Sequence, residues 1–428
     1  MSSICATAAS AAPCEGNSAD PFALLSNEVI LMIFNRVLEN NSVSPEKLAL
    51  NIVHTCRRFY HIGMHLPIWR CLFERAWRGP YPVELDPAGR AVYKNLWKLQ
   101  LLMKQRGGLQ GIISTTQLLE HIRAVLCVAV TPNGEKIIFG SDDGTIRILD
   151  SITGIEDACL RGHGKGVRSV VVTPDGRQII SGSYDNTVRI WDIETGQLSA
   201  RLEGHTDSVF SVVVTPDAEK IISGSEDETI MIWNSVTGEQ IAHLEGYVEK
   251  YEGWIISVAV TPDGGKFISG SEMNSLMIWD IETRQYLTSL RGHENAVLCV
   301  AVTPDGEQII SGSSDKTVRV WDSNTGQQLA CLRGHTGWVN SVVVTPDGEQ
   351  IISGSEDGTI RIWNRKTGQQ LACLTGHTDR ISSVTVTPDG KRIISGSQDG
   401  TIRVHAYDAK AFEKSGSAVR SLDVTYFP

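Results

Sequence analysis

The sequence predicts a two-part chain of the α+β multidomain class, a small all-α helical module followed by an all-β propeller of seven blades. Three observations predict it. A Thr-Pro pair recurs at Thr131, Thr173, Thr215, Thr261, Thr303, Thr345 and Thr387, in steps of 42 residues with a single step of 46. Each repeated unit holds four short apolar or alternating runs separated by turn residues, the signature of strands. Upstream, between residues 21 and 78, large apolar residues recur at helical spacing instead.

The parts divide as a disordered tail over 1–20, the helical module over 21–78, a helical linker over 79–110, the propeller over 111–407 and a C-terminal tail over 408–428. At 428 residues the chain exceeds one ordinary compact domain. With 41% hydrophobic and 21% charged residues it can bury a core, and 40 glycines against 15 prolines point to many tight turns. Charge marks a seam near residue 110. Before it stand 12 Lys+Arg against 8 Asp+Glu, and after it 27 against 41. An acidic propeller argues against nucleic acid or an anionic membrane as the main partner.

The nine cysteines include no Cys-x-x-Cys pair and no metal-like spacing with histidine, and their odd number suits free thiols in a reducing compartment. Cys159, Cys331 and Cys373 share one position of the repeat, as small half-buried residues would. No run of about 18 apolar residues occurs, and Met1 to Asp20 lacks a basic start followed by an apolar stretch. A soluble intracellular protein is expected, cytoplasmic or nuclear, without cofactor or metal.

The unit over 333–374, RGHTGWVNSVVVTPDGEQIISGSEDGTIRIWNRKTGQQLACL, shows the plan. VNSVVV and QIIS are joined through Thr-Pro-Asp-Gly, in which Pro presets φ and Gly accepts positive φ; IRIW and QQLACL are joined through Lys-Thr-Gly. One four-stranded meander cannot cover both of its faces, whereas seven stacked around a channel cover one another. The last unit lacks a fourth run after Thr401 to Tyr407, and Ile112 to Leu119 supply one ahead of the first unit, so the N-terminal segment is expected to complete the last sheet. Ala418 to Tyr426 compete for the same edge.

Gly-His near the start of a unit and Trp-Asp at Trp191, Trp279 and Trp321, or Trp-Asn at Trp233 and Trp363, resemble the WD-repeat family over residues 112–405. The resemblance implies a hydrogen-bonded set in each blade. The matching positions are His163, Ser181, Asp185 and Trp191; His205, Ser223, Asp227 and Trp233; His293, Ser311, Asp315 and Trp321; and His335, Ser353, Asp357 and Trp363. A repeated His/Ser/Asp group around a ring reads as structure, not as a catalytic triad. Departures are Phe139 and Leu149 in the first blade, Tyr247 for the His and Met273 for the Asp in the fourth, and His405 for the Trp in the seventh.

The resemblance also implies a ligand-binding rim at the start of each innermost strand and before each turn Asp. The first set is Leu126, Arg168, Phe210, Ile256, Leu298, Asn340 and Ser382, with Ala124, Gly166, Ser208, Trp254, Ala296, Trp338 and Arg380 two residues earlier. Before the turn stand Asp142, Tyr184, Glu226, Glu272, Ser314, Glu356 and Gln398. Arg168, Tyr184, Phe210, Glu226, Trp254, Glu272, Trp338, Glu356 and Arg380 are the candidate substrate contacts. Aromatic anchors amid carboxylates suit an apolar segment carrying Lys or Arg. Relatives that read phosphopeptides gather several arginines on this rim, where only Arg168 and Arg380 stand here.

Upstream, LLSNEVILMIFNRVLEN puts Val29, Ile30, Ile33, Phe34, Val37 and Leu38 on one helical stripe behind Ser26 as N-cap. Ser44-Pro45 open a second helix, KLALNIVHTC; CRRFYHIG and PIWRCLFERAW follow as shorter pieces. About 50 residues cannot bury so many large apolar side chains alone, which suits a partner-binding module. Residues 24–77 resemble an F-box through Leu25, Glu28, Ile33, Phe34 and Leu38, then Cys56-Arg57-Arg58-Phe59-Tyr60, then Ile68-Trp69-Arg70. Ser26 replaces the usual proline and Ile68 the usual leucine. The linker RAVYKNLWKLQLLMKQR, 90–106, reads as an amphipathic spacer helix ended by Gly107-Gly108.

The double resemblance implies a non-catalytic adaptor of a Skp/cullin/F-box ubiquitin ligase. Leu25, Glu28, Ile33, Phe34, Leu38, Cys56 and Trp69 would meet the Skp-type subunit, and the propeller would hold the protein to be modified. Two other readings stand beside it: a WD-repeat scaffold unrelated to ubiquitin, and a bacterial F-box mimic working in a host cytosol.

Overall fold

The computed structural model describes residues 113–117, 123–152, 154–245, 253–406 and 421–424. The chain divides into two units, Met1–Leu99 with Phe427–Pro428, and Gln100–Tyr426. Every described residue lies in the second. The expectations for the tail over 1–20, the helices over 21–78 and the linker over 79–110 therefore lie outside the described residues.

Seven sheets are formed among the described residues, six of four antiparallel strands in chain order and one of five. The innermost strands are Val125–Val130, Val167–Val172, Val209–Val214, Ile255–Val260, Val297–Val302, Val339–Val344 and Ile381–Val386, opening blades 1 to 7. Each lies beside the innermost strands of both flanking blades, and that of blade 7 lies beside that of blade 1, which closes the ring.

The core lies between blades, not within them. Ile310, Val318, Val320 and Leu332 of blade 5 pack with Val339, Val342, Ile351 and Trp363 of blade 6. The second strand of each blade is covered on both faces, and QIISGS at Gln350–Ser355 is buried at every position. That is why this segment reads as a continuous apolar and small run without alternation. Its glycine has a specific duty. A Cβ on Gly182, Gly270 or Gly354 would stand 2.7–2.8 Å from a methyl of Val209, Val297 or Ile381 on the next blade. Gly140, Gly224, Gly312 and Gly396 face Val167, Ile255, Val339 and Val125 in the same way, so the contact occurs at all seven junctions.

A polar stitch accompanies it. The hydroxyls of Ser169, Ser211, Ser257, Ser341 and Ser383 accept the N–H of Val212, Val258, Val300, Val384 and Val128 on the following blade, at 3.0–3.2 Å. Blades 1 and 5 carry Cys127 and Cys299 there, whose thiols donate to Val167 O and Val339 O at 3.4 and 3.5 Å. Burial pushes both thiols up to about 12, so they are inert packing groups.

The Thr-Pro-Asp-Gly connection forms as the sequence predicts. In blade 6, Gly348 N–H reaches Thr345 O at 2.8 Å with φ of +72°, and the Thr345 hydroxyl donates to Asp347 Oδ1 at 2.5 Å. Blade 3 has Ala218 at the glycine position, held at φ of +61°.

Ile113–Gln117 pairs antiparallel with the third strand of blade 7, Ile402–Ala406, with Thr115 opposite His405. The N-terminal segment thus takes the edge left by the missing fourth run. Its rival joins outside it: Ser421–Val424, within the stretch read as a tail, pairs parallel with Ile113–Gln117 as a fifth strand.

Two outcomes follow for stability. Ala218→Gly relieves a left-handed alanine and should stabilise the protein by up to about 1 kcal/mol, whereas Gly354→Ala should cost about 1–3 kcal/mol through overpacking against Ile381. Denaturant midpoints with unchanged m-values report both. Deleting 421–428 removes one outer strand and should lower Tm by a few degrees, while Thr115→Pro, inside the closing strand, should lower it far more.

Candidate functional site

Four blades carry the complete set that the sequence picks out. In blade 2, Asp185 Oδ2 accepts from His163 Nδ1 and from the Gly164 N–H, both at 2.9 Å. Its Oδ1 accepts from the Thr187 N–H at 3.1 Å and hydroxyl at 2.6 Å. His163 Nε2 lies 2.8 Å from Ser181 Oγ, which accepts from Trp191 Nε1 at 2.9 Å. Trp191 Nε1–H donates to Ser181 and His163 Nδ1–H to Asp185, and burial pushes the His163 pKa down, so the neutral ring accepts the Ser181 O–H at Nε2.

The same geometry recurs at His205, Ser223, Asp227 and Trp233. It recurs again at His293, Ser311, Asp315 and Trp321, and at His335, Ser353, Asp357 and Trp363. A fifth histidine set, absent from the sequence reading, joins His377 to Asp399 at 2.9 Å and to Ser395 at 2.8 Å. The tryptophan-anchored motif does not include it, because His405 occupies the Trp position. Gly376-His377 and Asp399-Gly400 carried the signal.

The departures behave differently. Phe139 and Leu149 in blade 1 are fully buried and fill the site with hydrocarbon. In blade 4, Trp279 Nε1 still donates to Ser269 Oγ at 3.0 Å, and Met273 stands at the turn position. Tyr247, read as standing at the histidine position, lies outside the described residues.

Chemically these sets resemble a Ser-His-Asp triad that has been sealed. Ser181, Ser223, Ser311, Ser353 and Ser395 are fully buried. In four of them the oxygen already accepts an indole N–H, and burial denies a substrate access to it. Among the described residues no group of three or more His, Cys, Asp or Glu side chains is arranged to hold a metal ion. No helix among them is long and apolar enough to cross a membrane.

Burial opposes ionisation of Asp185, Asp227, Asp315, Asp357 and Asp399, but hydrogen bonds from the histidine, threonine and backbone donors outweigh it and hold each carboxyl far below the usual carboxylate range. His405 moves the other way in effect. Burial, with His377 and Arg403 nearby, pushes its pKa down to about 3.

The rim is built by a recurrent bulge. Leu126, Arg168, Phe210, Ile256, Leu298, Asn340 and Ser382 each fall where the register of the innermost strand slips against its neighbour. A bulge re-aims the side chain it carries. One backbone bond then links the other two rim positions of each blade. The N–H groups of Tyr184, Glu226, Glu272, Glu356 and Gln398 donate to the carbonyls of Gly166, Ser208, Trp254, Trp338 and Arg380, at 2.8–3.1 Å. The structure thus gathers the three predicted rim positions blade by blade.

Trp254 and Trp338 are 40% and 46% exposed, whereas the other tryptophans in the described repeats are buried. Glu272, Glu356 and Arg380 are also exposed; Arg168, Tyr184, Phe210 and Glu226 are half-buried. Ring contacts, which the sequence did not reveal, join three of the aromatics. Tyr184 meets Phe210 at 6.2 Å between centroids with planes at 86°, and Phe210 meets Trp254 at 5.9 Å and 52°.

Comparison with known families finds the WD domain, G-beta repeat at residues 113–150, 156–192, 196–234, 238–280, 284–322, 326–364 and 368–405, more than half of the chain. No match was found among curated proteins.

Acid should unfold the ring in two stages. His405 takes up a proton in the unfolded chain below its ordinary value of about 6.5 but not in the folded one, so stability is lost as pH falls from there towards about 3. The five depressed aspartates contribute stability that is present above about pH 4 and lost below it. His405→Leu, the residue type that blade 1 carries as Leu149, should shrink the drop in Tm between pH 7.5 and 5.5 and leave the lower limb in place.

Proposed function

The chain belongs to the WD domain, G-beta repeat family, and from that premise we propose that it is a non-catalytic adaptor joining a partner protein to a ubiquitin ligase. The propeller suits a protein-interaction role, and the sealed His/Ser/Asp sets leave chemistry to other subunits. The observation that carries the finer reading is the order of motifs. The F-box-like residues Leu25, Glu28, Ile33, Phe34, Leu38, Cys56 and Trp69 precede a complete propeller in one chain. On this reading the N-terminal residues dock on a Skp-type subunit, and the rim at Arg168, Tyr184, Phe210, Glu226, Trp254, Glu272, Trp338, Glu356 and Arg380 holds the protein to be modified. Rate enhancement would come from proximity, since two binding surfaces on one chain raise the effective concentration of the substrate.

Exposed tryptophans beside carboxylates, Trp254 with Glu272 and Trp338 with Glu356, favour an apolar segment bearing Lys or Arg over a phosphopeptide. Affinity purification from a eukaryotic extract tests both ends at once. Wild-type protein should recover a Skp-type subunit together with a client protein. Changing Leu25, Ile33, Phe34 and Trp69 to alanine should abolish capture of the subunit and spare the client, since a few buried anchors of about 2 kcal/mol or more dominate such interfaces. Trp254→Ala with Trp338→Ala should do the reverse, and client binding should weaken as salt rises. A client bound only when phosphorylated, and released by Arg168→Ala, would replace the acidic-rim reading. Capture of a client without any Skp-type subunit would leave a WD-repeat scaffold.

A further inference from the structure

The rim is not uniform around the ring. Tyr184, Phe210 and Trp254 stand on consecutive blades and form a continuous aromatic arc through the two ring contacts described above. The Tyr184–Phe210 pair meets nearly at a right angle, which makes a corner of two walls instead of a closed stack. Trp254 extends that corner and remains 40% exposed, so the arc is open to a ligand. The buried pair Phe267 and Trp279, by contrast, lies parallel within 3° and is sealed.

Charge completes the picture. The carbonyl of Trp254 accepts the N–H of Glu272, which is exposed, and Glu226 stands at the equivalent place on the blade that carries Phe210. Aromatic faces carry partial negative charge and attract a soft cation within about 6 Å, and neighbouring carboxylates add to that field. Two carboxylates stand at the rim positions of these three blades against one cation, Arg168 on the blade of Tyr184, so the net negative charge disfavours a phosphate or carboxylate. A neutral apolar side chain would gain the contact area but none of the electrostatic attraction.

We propose that the Tyr184–Phe210–Trp254 arc, with Glu226 and Glu272, is a receptor for one alkylammonium group, the end of a lysine-type side chain on the partner protein. This rests on the rim being the partner-binding surface, and it adds which chemical group the rim selects and on which blades.

Choline serves as the probe, with 3,3-dimethyl-1-butanol as its neutral counterpart of equal shape. Binding to the full-length protein is followed by NMR at the indole N–H of Trp254, assigned by its loss in Trp254→Phe. Choline should titrate this resonance to saturation, and the neutral alcohol should bind at least about tenfold more weakly. Trp254→Leu, which keeps the apolar bulk, should lower choline affinity at least about tenfold, read from the ligand signals. Glu272→Gln should lower it several-fold and flatten its salt dependence. Leu329→Gln, on the exposed outer strand of blade 5, should change nothing.

Equal binding of choline and the alcohol would overturn the proposal, as would choline binding indifferent to Trp254→Leu or absent at millimolar concentration. Client capture by the purified protein is measured separately. If choline fails while Trp254→Ala with Trp338→Ala still releases the client, the cation receptor falls and the partner-binding rim stands. If neither the client nor choline depends on these residues, both fall.

Discussion

Everything in the described unit depends on the close approach between a glycine of one blade and the first residue of the next. At every junction, from Gly140 against Val167 to Gly396 against Val125, the space for a Cβ is already filled by a valine or isoleucine methyl. The contact fixes the distance between sheets at their narrow inner end, where seven innermost strands must share one channel. It leaves nothing to adjust. A wider spacing at one junction opens a void, and a narrower one collides, so seven equal contacts are the condition for the last blade to meet the first.

Further out the sheets diverge, and the requirement changes from closeness to filling. There the Trp indoles bridge the widening gap between blades, as Trp363 does against blade 5. A buried indole brings a polar N–H with it, and the Ser–His–Asp chain is what satisfies that donor without water. Where the indole is replaced by leucine, at Leu149, the serine has gone as well and Phe139 stands in its place. Blade 4 keeps Trp279 and Ser269 but carries Met273 at the Asp position. The set is lost from either end: blade 4 keeps the indole–serine bond without the turn Asp, whereas blade 7 keeps His377, Ser395 and Asp399 without the indole.

The strands and turns were legible in the sequence because each rests on local chemistry repeated seven times. Thr-Pro-Asp-Gly connections, the buried QIISGS run and the completing role of Ile113–Gln117 all follow from period, turn residues and one missing run. What escaped was of two kinds. His377, with Ser395 and Asp399, falls outside the motif because the motif is anchored on a tryptophan that blade 7 replaces with His405. The contacts of Phe210 with Tyr184 and Trp254 had no sequence signal at all. These residues are 26 and 44 positions apart, at different offsets in the repeat, and only the ring brings them together.

The bulge at the second position of each innermost strand links closure to recognition. The first residue of that strand, such as Val209 or Ile255, must point at the glycine of the preceding blade. In a regular strand the second residue would point the opposite way, into the next interface. Slipping the register at this residue releases it from the ladder while the first stays locked. The fold thus gains one position per blade that is rigidly held but freed from the glycine contact that closes the ring. The near-identical repeats vary there more freely than in the second strand, from Arg168 to Phe210 to Asn340. A surface assembled from such positions can change its chemistry without disturbing the ring, because the residue that recognises and the residue that closes the fold are adjacent yet separately constrained.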